Sequence, residues 1–76
     1  MTRIESIMIM FGRNVQKYRS AMNISQEELA FRAGLHRTYI GMVERAERSI
    51  SLKNAKKIAD ALNVKLDILL NNGKEN

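Results

Sequence analysis

Between Ser25 and Gly34 the chain has room for only a short helix, and that restriction shapes everything around it. Ser25 with Glu28 three residues later reads as a capping box, in which each residue closes an orphan amide near the other. Gly34 is a stop, because glycine accepts the backbone conformation that ends helices. Leu29, Ala30 and Ala33 form the apolar face in between. After a turn of about three residues a second short segment, Arg37 to Arg45, is again compatible with helix, with His36 as a mediocre cap. On it Ile40, Val43 and Glu44 share one face, while Thr38, Gly41, Met42 and Arg45 share the other. The small residues Ala30 and Ala33 allow two such helices to cross closely. Short helices gain most of their stability from packing, so both need partners elsewhere in the chain.

The partners are visible in the hydrophobic spacing. A first helix is expected from about Ser6 to Met22, with Phe11, Val15, Tyr18 and Met22 as its buried stripe and Asn23 as its terminator. Glu47 to Ser49 reads as a polar loop. Ser51 caps a fourth helix, Leu52 to about Leu62, whose face is Leu52, Ala55, Ile58, Ala59 and Leu62. Asn63 ends it. A short fifth helix, about Leu66 to Asn71, is apolar on more than one side. Met1 to Ser6 and the polar end from Asn71 to Asn76 are expected to be loose. The fold class is therefore all-α, a compact five-helix single domain over residues 1–76 with its core within about 8–71.

Composition narrows the chemistry. There is no cysteine, so disulfides and thiolate metal sites are excluded, and the lone His36 cannot build a histidine-rich zinc site. No nucleophile–base pair, metal-ligand cluster or phosphate-cradling glycine loop is present. The expectation is no enzyme, no metal, no cofactor and no small-molecule ligand. The longest apolar run, Ile7 to Phe11, is too short for a bilayer and lacks a signal-peptide cleavage site, which suggests a cytoplasmic protein without membrane contact. The formal charge of +5, from 13 Lys+Arg against 8 Asp+Glu, suits a polyanionic partner. With 76 residues and no brace of disulfide or metal, a second subunit is a natural source of further buried surface.

The ordered set Gln26-Glu27-Glu28-Leu29-Ala30, Ala33-Gly34-Leu35, Ile40, Val43-Glu44 resembles the phage-repressor type of helix-turn-helix, also called the Cro/C1 or XRE family. The later residues Ser51-Leu52, Lys57-Ile58-Ala59, Ala61-Leu62, Val64, Leu66-Asp67 and Leu69-Leu70 match that family's closing helices. The resemblance spans roughly Phe11 to Leu70. Within the family, Arg37-Thr38-Tyr39-Ile40 with Glu44-Arg45 and Arg48 is similar to the controller proteins of restriction–modification systems. It implies a lambda-repressor-like fold and a homodimer that places its third helix in a major groove of double-stranded operator DNA. It also implies action as a transcription regulator, associated with the nucleoid when bound.

Roles for single residues follow from the resemblance. Arg37 can bond a guanine edge bidentately, which discriminates bases by about 1–3 kcal/mol. Thr38 and Met42 are the other candidate base contacts. Gln26, Tyr39, Arg45, Arg48 and Ser49 are candidate phosphate contacts, which fix register without reading sequence. The residue matching Glu44 pairs in the family with an arginine matching Arg19. Leu62, Val64, Leu66, Ile68 and Leu69 are candidates for the dimer seam. An antitoxin or phage-type repressor whose last helices bind another protein is the competing assignment. Asn23 stands where the family commonly has glycine, and Lys65 where a serine often caps the last helix. Residues 25–50 carry four basic and four acidic side chains, so any positive face there must come from geometry.

Overall fold

The computed structural model describes residues 3–71. Five α-helices follow one another: α1 (Arg3–Ala21), α2 (Gln26–Ala33), α3 (Arg37–Glu44), α4 (Leu52–Leu62) and α5 (Leu66–Leu69). α2 packs on α3 and α4, and α1 closes the other side against α3, α4 and α5. One core results, filled by Phe11, Val15, Leu29, Ile40, Ile58 and Leu69, with the small side chains of Ala30, Ala33, Ala55 and Ala59 buried among them.

The caps do the local work. Ser25 Oγ accepts the amide of Glu28 at 3.0 Å, and Ser51 Oγ accepts that of Asn54 at 3.1 Å. The reciprocal half of the expected capping box is not made, because the Glu28 carboxylate takes Arg32 Nε at 2.8 Å instead. His36 does cap, through Nδ1, which accepts the amide of Thr38 at 3.1 Å. Gly34 ends α2 at φ +71°, where the Leu35 amide reaches back to the Ala30 carbonyl. Asn63 ends α4 in the same left-handed region. α3 ends less comfortably: Ala46 adopts φ +59°, and the amides of Ala46 and Glu47 close the turn on the carbonyls of Val43 and Met42.

Several boundaries differ from expectation. α1 begins at Arg3, a turn earlier than Ser6. Nothing in that turn breaks a helix, and Glu5 suits the positive end of the dipole. Met1 and Thr2 lie outside the described residues. α1 stops at Ala21, so Met22 falls in the turn and is exposed rather than part of the buried stripe. α3 stops at Glu44 with Arg45 as its cap, and α5 stops at Leu69, so Asn71 lies in the following turn. Lys65 precedes α5 with no side-chain cap. The remainder of the expected loose end, 72–76, lies outside the described residues.

Leu52 was expected on the buried face of α4 but is 75% exposed. As the first helical residue it projects outward, and Ile50 before the cap fills the place beside the core. Leu62 and Leu69 lie in the chain's own core at 3% and 0% exposure, so neither offers surface to a second copy. Val64, Leu66 and Ile68 remain half-buried at the edge.

Candidate nucleic-acid interface

Helix α3 is held from behind and open in front. Ile40 and Val43 anchor it to the core, while Arg37 and Thr38 at its start are exposed and Met42 is half-buried. In front of it lies an open cleft of about 610 Å³, lined by Ser25, Gln26 and Glu27 of the α2 start, by Arg37, Thr38, Gly41 and Arg45 of α3, and by Arg19.

Glu44 is the inward anchor. Its carboxylate accepts Arg19 Nε at 2.6 Å and Arg19 Nη2 at 3.0 Å, a bidentate pair. Only 14% of the Arg19 side chain and 3% of the Glu44 side chain remain exposed. Arg19 Nη1 also donates to the Ile24 carbonyl at 2.9 Å. The hydrogen bond to Glu44 raises the Arg19 pKa above the ordinary arginine range, against a smaller opposing effect of burial. One arginine thus ties α1, the α1–α2 turn and the end of α3 together.

Gln26 joins the same cluster. Its Nε2 donates to Glu44 Oε1 at 2.9 Å, so the side-chain amide expected to face a phosphate is turned toward the ion pair. The other candidates are spread around the rim. Arg37 Nη1 sits 3.4 Å from Glu27 Oε2, both well exposed. Arg45 Nε meets Glu47 Oε2 at 3.0 Å, and that bond raises its pKa. Tyr39 is half-buried, and its phenol oxygen accepts Asn54 Nδ2 of α4 at 3.3 Å. Arg48 and Ser49 are exposed on the loop after α3, the Ser49 hydroxyl 3.9 Å from Met8 Sδ.

Three residues matter that the hydrophobic pattern passed over. A Cβ on Gly12 would stand 2.4 Å from the Val43 carbonyl oxygen and 2.9 Å from that of Glu44, so α1 lies backbone-close to the end of α3 only because Gly12 is bare. A glycine inside an otherwise regular helical pattern was the available signal. Asn14 is buried and donates from Nδ2 to the carbonyls of Leu69 at 3.0 Å and Asn71 at 2.7 Å, fastening the end of α5 to α1. Its signal was a polar side chain beside Val15 on the apolar face. Gly41, expected on an open outer face, is instead buried.

Comparisons with known proteins identify the family. The profile of the helix-turn-helix family matches residues 15–69. The control protein C.BamHI of Bacillus amyloliquefaciens is 48% identical over 66 residues, 86% of this chain and 82% of that protein. The chain belongs to the Cro/C1-type helix-turn-helix family of control proteins. A second control protein, C.SmaI of Serratia marcescens, is 51% identical over 59 residues, 78% of this chain and 70% of that one. Among solved structures, the restriction-modification controller protein C.AhdI from Aeromonas hydrophila superposes with a TM-score of 0.84 at 40% identity, covering 90% of this chain and 99% of that one. The P22 c2 repressor, solved with a synthetic operator, superposes at 0.76 with 26% identity, covering 82% and 94%. As a control-family member the chain is a DNA-binding regulator of transcription. Among the described residues no helix is long and apolar enough to cross a membrane, and no group of three or more acidic, histidine or cysteine side chains could hold a metal ion.

Proposed function

We propose that the chain acts as a homodimeric, sequence-specific regulator of a restriction–modification operon in the cytoplasm, each subunit placing α3 in a major groove of a near-palindromic operator. The observation that carries this is the division of α3 into two faces. Its inner face is locked by Ile40, Val43 and the Arg19–Glu44 pair, and its outer face presents Arg37 and Thr38 at the N-terminal end. A rigid helix with exposed donors at its start fits a major groove. Arg37, Thr38 and Met42 read bases in this proposal, and Arg45, Arg48 and Ser49 hold phosphates. Gln26 contributes through its position at the head of α2, and Tyr39 through its free phenolic hydrogen. The dimer seam narrows to Val64, Leu66 and Ile68, the half-buried apolar edge beside α5. Two-fold symmetry then sets half-sites about 34–36 Å apart.

The test is binding to the DNA upstream of the chain's own gene while salt is varied. A dimer holding about 6–10 phosphates should lose about 10³–10⁵ in affinity between about 50 and 200 mM salt. It should still prefer that DNA over random duplex. Sequence-blind binding refutes the regulator, and sedimentation showing only monomer at high micromolar concentration refutes the seam.

A further inference from the structure

Gly41 lies on the flank of α3 that faces the cleft at the head of α2, and it is buried. Its cover comes from two side chains. A Cβ built on Gly41 would lie 3.1 Å from Arg45 Nη1 and 3.6 Å from Arg45 Nη2, and 3.5 Å from Gln26 Oε1. Helical side chains lean toward the N-terminus, so Arg45 reaches back one turn and rests over residue 41. There its guanidinium lines the cleft beside the start of α2, which Arg37 and Thr38 line as well. Glu47 Oε2 lies 3.0 Å from its Nε.

We propose that Gly41 is the positioning residue for Arg45: the bare backbone is a notch in which the guanidinium lies flat against α3, ready to meet the DNA backbone where it passes the head of α2. The inference rests on the proposal that α3 enters DNA with Arg45 on a phosphate. A methyl group at position 41 presses on the guanidinium at a distance tighter than ordinary contact. The guanidinium is the end of a flexible side chain, so it swings out of the notch and the fold is kept.

The substitution Gly41→Ala therefore has opposite effects on two measurements. Alanine favours a helix interior over glycine, so the thermal midpoint rises by roughly 4–8 °C. Operator affinity of the dimer falls about 25-fold to 100-fold, about fivefold to tenfold for the charge-assisted contact weakened in each subunit. The slope of log affinity against log salt flattens by about one unit per subunit, the signature of a lost phosphate contact. The decisive comparison is the same substitution in an Arg45→Ala background. There Gly41→Ala changes neither affinity nor salt slope, because the side chain it displaces is gone. Equal weakening in both backgrounds overturns the inference, since the methyl would then be meeting DNA itself. Unchanged affinity and slope with Arg45 present overturns it as well. Failure of the unaltered protein to bind its operator overturns the DNA-reading proposal and this inference together, whereas binding without coupling to Arg45 overturns this inference alone.

Discussion

Glu44→Ala probes the anchor of α3. The substitution leaves the Arg19 guanidinium without its carboxylate and Gln26 Nε2 without its acceptor. Removing one partner of a buried ion pair costs about 3–5 kcal/mol. Arg19 keeps its bond to the Ile24 carbonyl and 14% of its side-chain exposure, which sets the cost near the lower end, about 3 kcal/mol. A domain of this size holds about 4–11 kcal/mol in total, so the loss is a large share of the whole. At about 4–8 °C per kcal/mol, the melting midpoint followed by circular dichroism should fall by roughly 12–24 °C. The double substitution Arg19→Ala with Glu44→Ala should be less destabilised than the two single losses added together, by about 1–3 kcal/mol, because neither charge is then stranded. A Glu44→Ala midpoint within about 3 °C of the unaltered protein, or strict additivity of the two losses, would refute the reasoning.

Two further substitutions test the backbone around α3. Gly12→Ala drives a methyl into the Val43 and Glu44 carbonyls, which belong to backbone and cannot swing away. It should destabilise by about 3 kcal/mol or more in urea unfolding, and a loss under 1 kcal/mol would show that α1 can slide without harm. Ala46→Gly relieves the left-handed conformation at the end of α3. That strain is about 1–2 kcal/mol, offset by roughly 0.4–1 kcal/mol of added freedom in the unfolded chain, so a small rise in thermal midpoint is expected and a fall would contradict it.

What was legible in the sequence was what the chain decides locally. Ser25, Gly34, Ser51 and Asn63 act within a few residues of themselves, and their roles follow from hydrogen-bonding capacity and allowed φ alone. The alternation of apolar residues likewise marked most of the core. The contributions of Gly12 and Asn14 depend on partners 31 and more residues away, which no local pattern contains. Leu62 and Leu69 show the same limit from the other side. An apolar stripe says that a residue is covered, and the tertiary arrangement decides whether its own subunit or a second one covers it. Gly41 is a different case, since its partner Arg45 is only four residues on. What was missing there was a side-chain direction, and that depends on the space left by Gln26.

The neutral charge count of residues 25–50 becomes intelligible on the same terms. Each of the four acids in that stretch faces an arginine: Glu27 meets Arg37, Glu28 meets Arg32, Glu44 meets Arg19, and Glu47 meets Arg45. The pairs differ in how tightly they hold. Glu44 is nearly sealed and neutralised from within by a residue of α1, so it takes its charge out of the outer face of α3. Arg37 and Glu27 are 68% and 74% exposed at 3.4 Å, and an exposed pair of this kind contributes at most about 1 kcal/mol. Exchanging that carboxylate for a guanine edge or a phosphate costs little, so Arg37 is kept in place without being locked. The outer side of α3 can thus be basic within a stretch of no net charge, because Glu44 is withdrawn behind the helix and paired with Arg19 from outside that stretch, while the other acids hold their arginines only in exposed pairs.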